Sequence, residues 1–173
     1  MAFSDDLLSQ AAHLAARGPG RPRQADLRRA VSAAYYAMFH EISDRAVRSI
    51  LRGADARGRI GSRVRRAVSH ASVLKACKWM VGTTPDVVKS MLPHDSGDIP
   101  SALRLICRYT ISLQGERHRA DYDFSAPFTR SAADASVAFT QLVLSDFRGL
   151  PDDPAMQVFL LGCLFGDSLV RNV

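Results

Sequence analysis

The chain has 173 residues, 47% of them hydrophobic and 23% charged, and it carries a formal net charge of +6. This length and composition exclude wholesale disorder and fit one domain with a substantial core. The charge is uneven, because 13 arginines and only four acidic residues lie between Arg17 and Arg66. Such a basic segment can attract phosphate backbones through counterion release, although an arginine-rich solvated surface has the same composition.

Helical patterns fill the first half of the chain. Residues 4–17, "SDDLLSQAAHLAAR", are amphipathic and are followed by "GPGRP". From Gln24 to Arg52 there is no Gly or Pro, and apolar residues recur every three or four positions, which predicts one long helix. This apolar stripe consists of Leu27, Val31, Ala34, Tyr35, Met38, Ile42, Ala46 and Ile50. The glycines of "RGADARGRIGS" (52–62) predict a flexible loop, and a helix is predicted from about Ser62 to Val81.

The second half of the chain continues the helical pattern after the short, ambiguous "VVKSMLP" (87–93). Pro100 and Gly115 bracket a helix over "PSALRLICRYTISLQG", and Ser131 with Asp134 resembles a capping box that begins another. The apolar residues predicted to be buried by that helix are Ala135, Ala138, Phe139, Leu142 and Val143. A last helix is predicted over residues 155–170, after Pro151 and Pro154. Because no strand pattern occurs, the sequence predicts an all-α, single-domain bundle of about six helices over residues 1–173.

Several functional classes are excluded by the same sequence features. Cys77, Cys107 and Cys163 lie among apolar neighbours without metal-ligand spacing, which predicts buried, reduced thiols and no metal site. The opening "MAFSDDLLSQ" lacks the basic region of a signal peptide. The most apolar run, "VFLLGCLFG" (158–166), is too short to span a bilayer. We therefore expect a soluble cytoplasmic protein with no membrane contact and no cofactor.

One polar stretch, "GERHRADYDF" (115–124), combines charged and aromatic residues at helical spacing. Its members form three pairs that are each four residues apart, and on a helix each pair shares a face. The pairs are Arg117 and Asp121, His118 and Tyr122, and Arg119 and Asp123. This spacing fits either the polar end of a functional site or ordinary ion pairs on a solvated helix.

Three stretches occur in order along the chain: "RRAVSAAYYAMFHEIS" in the long helix, "SHASVLKAC" (69–77) and "ERHRADYDF" (116–124). Together they resemble the motifs of HEPN domains (higher eukaryotes and prokaryotes nucleotide-binding). The chain is most similar to the short, single-domain bacterial members, and the resemblance covers about residues 25–147. It implies a helical bundle that usually forms a homodimer, with the polar motif near the dimer cleft.

The resemblance also implies two kinds of function, RNA cleavage or non-catalytic binding. Many family members are RNA-cleaving toxins encoded beside a nucleotidyltransferase-like antitoxin, and others are non-catalytic binding or scaffold domains. Catalytic members carry an Arg, four to six further residues, and then a His. The imidazole can act as general base on a ribose 2′-hydroxyl while the guanidinium stabilises the charge of the pentavalent phosphate, without a metal.

This chain departs from the catalytic pattern at the decisive positions. Counting from Arg117, the positions expected to hold His contain Tyr122, Asp123 and Phe124. His118 follows Arg117 directly, so on a helix it points about 100° away from it. A second match to the spacing, from Arg63 or Arg65 to His70, lies in the wrong part of the family pattern.

The sequence therefore favours a non-catalytic HEPN-like module that binds RNA, a nucleotide or a protein partner, and that could belong to a toxin–antitoxin system. One alternative is a metal-independent ribonuclease toxin with a rearranged site, and another is a structural helical dimer in a larger complex. The candidate catalytic residues are Arg117, His118 and Tyr122. The candidate ligand-binding residues are Arg117, Asp121, Tyr36, His40, His70, Arg63, Arg65 and Arg66.

Two further expectations concern apolar side chains. Tyr35 and Tyr36 are adjacent on one helix, so one is expected in the core and the other facing a cleft or partner. The apolar segment 158–166, with Phe147 and Leu150, exceeds what a closing helix usually needs, which favours a homodimer interface. The alternative is that this last helix seals the core of the monomer.

Overall fold

The computed structural model describes residues 2–18, 20, 22–82, 84–92 and 99–170, and these ranges contain helices and no strand. The all-α prediction is therefore confirmed. The helices are α1 (Phe3–Ala16), α2 (Gln24–Ile50), α3 (Gly53–Arg57), α4 (Arg59–Ala67), α5 (His70–Val81), α6 (Asp86–Lys89), α7 (Ser101–Tyr122), α8 (Arg130–Gly149) and α9 (Pro154–Phe165). A 3₁₀ turn, Gly166–Leu169, follows α9. No described helix is both long and apolar enough to cross a membrane.

The described helices number nine, against about six predicted, because two segments predicted as loop or ambiguous contain the short helices α3 and α6 and one predicted helix is divided in two. Residues 52–62, predicted as a flexible loop, contain α3 and the start of α4, so that prediction is wrong. The helix predicted from Ser62 to Val81 is two helices, because the chain leaves α4 at its C-cap Val68 and Ser69 caps the start of α5. The Ser69 hydroxyl accepts a hydrogen bond from the Ser72 backbone N–H at 3.0 Å.

The chain divides into two compact units, of which the first contains Met1–His40 and Tyr109–Arg148. Its core is built from apolar residues of α1, α2, α7 and α8 together with residues that follow α7. The core residues include Ala11, Ala15, Leu27, Ala30, Val31, Ala34, Ala120, Phe128, Ala133 and Val137. The stripe predicted for α2 is confirmed from Leu27 to Ala46, whereas Ile50 at the end of the helix is 43% exposed.

Helix α8 begins at Arg130, close to the predicted start near Ser131, but its capping residue and its buried face differ from the prediction. The Thr129 hydroxyl accepts a hydrogen bond from the Ala132 backbone N–H at 3.1 Å, so Thr129 caps the helix and the predicted Ser131 cap is wrong. Only Val143 of the five residues predicted to be buried is buried; the others are exposed. The buried face consists of Ala133, Val137, Thr140, Val143, Leu144 and Phe147. Polar Thr140 fits this core because its hydroxyl donates to the Ser136 carbonyl at 2.6 Å.

Helix α7 continues through Gly115, which the sequence predicted as its end. An added Cβ at Gly115 would meet no neighbouring atom, so this glycine is an exposed helical residue whose cost of about 1 kcal/mol the helix tolerates. The helix ends at Tyr122, where Asp123 accepts hydrogen bonds from the backbone N–H groups of Ser125 at 3.0 Å and Ala126 at 3.2 Å. The Ser125 hydroxyl and these N–H groups hold the pKa of the Asp123 carboxyl below its ordinary value.

The second unit contains Glu41–Arg108 and Gly149–Val173, and α9 packs against α5 within it. An added Cβ at Gly162 would lie 2.9 Å from Cζ3 of Trp79, so the glycine permits this close approach of the two helices. Phe159, Leu160 and Cys163 are buried. The last helix thus lies in the core of its unit, and its apolar surface no longer supports the predicted homodimer.

All three cysteines are free and buried in this second unit, which confirms the prediction of buried, reduced thiols. Burial raises the pKa of the Cys107 and Cys163 thiols well above the ordinary value, and the nearby Cys77 raises both further. Because the thiolate is the reactive form, we expect these two buried thiols to react slowly in the folded protein.

Candidate functional site

The polar motif is held by the parts of α2 and α7 that belong to the first unit. Gln24 at the start of α2 exchanges two hydrogen bonds with the backbone of Phe128, its Nε2 donating at 2.7 Å and its Oε1 accepting at 2.9 Å. Tyr36, three turns further along α2, contacts Arg117 of α7. The helices therefore run antiparallel, and the end of α7 lies beside the start of α2.

Arg28 joins α2 to the end of α7. Its guanidinium donates to the backbone carbonyls of Ala120 at 3.0 Å, Asp123 at 2.9 Å and Ala126 at 2.6 Å, and more weakly to that of Arg119 at 3.4 Å. These include carbonyls of the last turn of α7, which have no partner within the helix. Arg28 belongs to the basic segment that the sequence associated with phosphate, but its donors are committed to the protein backbone.

Arg117 is the centre of the polar motif. Its Nη2 donates to the Tyr36 hydroxyl at 2.9 Å, and its Nε lies 2.7 Å from Oδ2 of Asp121. The Nε–H does not point at that oxygen in hydrogen-bond geometry, so the contact with Asp121 is an ion pair. The Arg117 and Asp121 side chains are only 16% and 20% exposed. This half of the predicted motif is therefore a largely buried network and not a solvated pair.

Aromatic rings surround the Arg117 guanidinium. The distances from its Cζ to the ring centroids are 5.9 Å for Tyr35, 5.4 Å for Tyr36 and 5.5 Å for Tyr122, which is the range of cation–π contacts. Burial alone would lower the pKa of Arg117, but the Tyr36 phenol and the Asp121 carboxylate raise it overall. Tyr35 is buried and Tyr36 is half-buried, which confirms the predicted division of the two tyrosines.

His118 and Tyr122 lie on the exposed side of α7. Their ring centroids are 4.9 Å apart, and Tyr122 is 60% exposed. Tyr122 therefore contacts both the Arg117 guanidinium and the His118 imidazole. The third predicted pair is not formed: Arg119 contacts Glu116 at 3.0 Å, and Asp123 lies beyond the helix with Ser125.

The structure places His40 at the edge of this group. Its ring centroid is 4.9 Å from that of Phe3, 5.5 Å from that of Phe39 and 6.4 Å from that of Tyr36, and the residue is half-buried. Aromatic packing is thus its evident role. The first unit consequently brings together six of the predicted site residues, namely Tyr36, His40, Arg117, His118, Asp121 and Tyr122.

The remaining predicted site residues, Arg63, Arg65, Arg66 and His70, belong to the second unit. Arg65 forms an ion pair with Asp44. Arg63 and Arg66 are exposed on α4, and Arg59 is exposed one turn before Arg63 on the same helix face. We call Arg59, Arg63 and Arg66 the α4 arginine face. Half-buried His70 begins α5.

Sequence reasoning missed the roles of Gln24 and Arg28, although both residues stand in the first turns of the predicted long helix. Gln24 and Arg28 are four residues apart, so the sequence shows that they share a helix face. It does not show that this face contacts the end of α7 and the segment that follows it. Elsewhere in the basic segment, Arg45 lies 2.6 Å from Asp152, and Arg17 lies 3.5 Å from Asp26. Fewer arginines are therefore available to phosphate than the composition indicates.

Comparisons with known protein families, with curated proteins and with solved structures found no match for this chain. The HEPN resemblance therefore stays a prediction from the three sequence stretches. Among the residues that the structure describes, no three His, Cys, Asp or Glu side chains form a group that could hold a metal ion. The chemistry available at the motif is that of a guanidinium, a carboxylate, phenols and one exposed imidazole.

Proposed function

We propose that this chain is a non-catalytic HEPN-like module that binds single-stranded RNA through Tyr122 and its neighbours on α7. The observation that carries the proposal is the exposed Tyr122 ring, which contacts both the Arg117 guanidinium and the His118 imidazole. Proteins that bind single strands combine positive charge with aromatic rings on which bases stack. Phe124, two residues further on, is 87% exposed and offers a second ring.

The state of Arg117 favours binding over cleavage. A catalytic guanidinium must face the charge that develops on the phosphate. Here the guanidinium is 16% exposed, ion-paired with Asp121 and hydrogen-bonded to Tyr36. The exposed His118 makes no hydrogen bond to a carboxylate or carbonyl among the described residues, so nothing there holds its imidazole in one tautomer.

One observation favours the alternative, a ribonuclease that uses Arg117, His118 and Tyr122. These three side chains are adjacent, since Tyr122 contacts both of the others. In that mechanism the Tyr122 hydroxyl would transfer a proton, whereas in the binding mechanism only the aromatic ring is needed. The two functions therefore differ in their response to removal of a single hydroxyl group.

Replacing Tyr122 separates the two functions. Tyr122→Ala should weaken the binding of a fluorescein-labelled oligouridylate by about 1–3 kcal/mol, which is the contribution of one stacked base. Tyr122→Phe keeps the ring and should bind as the unmodified protein does. Fluorescence anisotropy at fixed salt measures both, and incubation with total RNA and tRNA measures cleavage.

Three results would contradict the stacking role. They are equal loss of binding by Tyr122→Phe and Tyr122→Ala, no binding by the unmodified protein below about 10⁻⁴ M at physiological salt, and RNA cleavage that is lost in Tyr122→Phe. His118→Ala serves as an internal check. It should leave binding nearly unchanged if the site is non-catalytic, and it should abolish cleavage if the imidazole acts as a base.

The α4 arginine face should supply affinity that is independent of RNA sequence. Replacing Arg59, Arg63 and Arg66 together by Gln should weaken binding to all RNA sequences. It should also flatten the slope of log K against log salt by about 0.7 for each lost phosphate contact. The matched control is Arg65→Gln, because Arg65 is on the same helix but is paired with Asp44. A salt slope unchanged by the triple substitution would show that these arginines are only solvated.

A homodimer, a nucleotidyltransferase-like antitoxin partner and a cytoplasmic location stay predictions, as does the structural dimer in a larger complex. RNA binding that fails in all forms of the protein would favour a protein partner instead.

A further inference from the structure

Helix α8 carries a second apolar stripe, which we call the α8 outer stripe. It consists of Ala135, Ala138, Phe139 and Leu142, which share one helix face. Phe139 is 46% exposed, Leu142 is 62% exposed, and both alanines are exposed. At 100° per residue, the centre of this stripe lies roughly 160° around the helix from the centre of the buried face. The helix is therefore apolar on two opposite sides, of which the described part of the chain covers only one.

A pocket of about 240 Å³, which we call the α7–α8 pocket, opens beside the stripe within the first unit. Ala135 and Phe139 form part of its α8 wall, and Tyr109 forms part of its α7 wall. The Tyr109 and Phe139 ring centroids are 4.7 Å apart, and the Tyr109 hydroxyl donates to the Ser136 carbonyl at 2.9 Å. These contacts hold the walls in place. The volume is below the range of small-molecule sites and suits one large apolar side chain of a binding partner.

The charges beside the stripe are acidic. Residues 131–147 contain two ionisable side chains, Asp134 and Asp146, and no basic one. Both aspartates are exposed, and neither forms an ion pair with a residue that the structure describes. Asp134 lies one turn before Ala138, and Asp146 lies one turn after Leu142. The excess positive charge of the chain is therefore absent from this surface.

These charges determine which occupant fits the stripe. In a symmetric pair of two copies, each would contribute Asp134 and Asp146, so four carboxylates would border one interface without a basic residue of segment 131–147 to pair with them. Like charges placed together across an interface are destabilising. A membrane surface fits no better, because its anionic headgroups repel carboxylates. A partner that brings its own positive charge has neither disadvantage.

We propose that the α8 outer stripe and the α7–α8 pocket dock an amphipathic helix of another protein, with an apolar face flanked by lysine or arginine. One large apolar side chain of that helix enters the pocket, and its basic residues pair with Asp134 and Asp146. The two aspartates are 12 residues apart, which is about 18 Å along the axis, so the paired basic residues have a similar separation. The surface is distinct from the RNA contact, because Tyr122 does not line the pocket.

Two fluorescein-labelled synthetic helices probe the full chain by fluorescence anisotropy. Each has leucines at the spacing i, i+3, i+4 and i+7. The basic probe has two flanking lysines, placed about the leucines as Asp134 and Asp146 are placed about the outer stripe, and the acidic probe has glutamates there. The unmodified protein should bind the basic probe at micromolar concentration and the acidic probe about tenfold more weakly.

Variants of the full chain test the charges separately from the apolar contact. Asp134→Lys and Asp146→Lys should each weaken the basic probe about fivefold and strengthen the acidic probe by a similar factor, because each reverses one ion pair. Leu142→Ser should weaken both probes about tenfold, because it removes a side chain that binding buries. Ala135→Leu adds apolar surface but fills the pocket, so it should weaken binding, whereas non-specific adhesion would become stronger.

Controls distinguish this pattern from general effects. Asp6→Lys makes the same charge change at an exposed position of α1 in the same unit and should keep both dissociation constants within about twofold. The replaced residues are exposed, so the melting temperature of each variant should stay close to that of the unmodified protein. Tyr122→Ala should bind the basic probe normally, so a failure of RNA binding leaves this test intact.

The proposal is overturned if the basic probe does not bind at millimolar concentration, or if both probes bind equally. It is also overturned if Asp6→Lys weakens the basic probe as much as Asp134→Lys does, or if Ala135→Leu strengthens binding. Sedimentation that shows a dimer dissociated by Leu142→Ser would assign the stripe to a second copy. Cosedimentation with phosphatidylcholine vesicles that Leu142→Ser abolishes would assign it to a membrane surface. Either result contradicts the proposal.

Discussion

Phe159→Ala should lower the free energy of unfolding by about 3–5 kcal/mol, the range measured when a buried Phe is truncated in a packed core. Phe159 is fully buried on α9, which packs closely against α5 where Gly162 meets Trp79. The loss combines the hydrophobic transfer of the ring with the cavity that it leaves. Urea unfolding followed by circular dichroism measures the change.

The control lies on the same helix. Phe165 is 49% exposed, so Phe165→Ala should cost far less than Phe159→Ala. Because Phe159 is buried within its own unit, its effect should not depend on protein concentration, and deletion of residues 155–173 should unfold the chain. Sedimentation in which Phe159→Ala lowers the mass without lowering stability would show instead that α9 forms an interface between copies.

Arg28→Ala should lower the free energy of unfolding by about 2–3 kcal/mol. A hydrogen bond to a charged group contributes about 1.5–3 kcal/mol. Truncation removes the Arg28 donor from the Ala120 and Ala126 carbonyls, whereas the Arg119 and Asp123 carbonyls each keep a backbone N–H donor. The expected loss in the free energy of unfolding is close to the contribution of one charged hydrogen bond. Arg28 is only half-buried, so water can donate to some of the carbonyls that lose the guanidinium. The measurement is again urea unfolding.

Neighbouring arginines provide the comparison for this second change. Arg23→Ala removes an exposed arginine from the same segment and should change stability by less than about 0.5 kcal/mol. Arg28→Lys keeps the charge but cannot reach several carbonyls at once, so its stability should be intermediate. Equal stability of Arg28→Ala and Arg23→Ala would mean that the carbonyl contacts contribute nothing in solution.

The spacing of apolar residues along the sequence predicted most of the longer helices, because helix periodicity depends only on residues close together in the chain. A helix of 27 residues with an apolar stripe buried from Leu27 to Ala46 has few alternatives, so α2, its buried face and the division between Tyr35 and Tyr36 follow from spacing alone. The Arg117–Asp121 and His118–Tyr122 contacts follow for the same reason, since both pairs lie within α7.

Where the sequence allows two helix ends or two buried faces, packing against other segments determines which one forms. Gly115 is a stop signal in the sequence, yet α7 continues for seven residues because contacts beyond it hold the helix. In α8, apolar residues occur on two faces, and the buried face includes Thr140, whose hydroxyl bonds its own helix. No local rule identifies the face that a neighbouring helix will cover.

For the candidate site too, the sequence predicted contacts within one helix, and only the tertiary structure showed contacts between helices. The sequence established which residues of "ERHRADYDF" share a helix face, and that positions 122–124 hold no His. It could not show that Arg117 is buried against Tyr36, because their contact joins residues 81 positions apart. Nor could it separate Arg28, which bonds backbone carbonyls, from exposed Arg29 one residue later. Spacing along a helix sets neighbours within that helix, whereas burial and hydrogen-bond partners depend on which other segments fold against it.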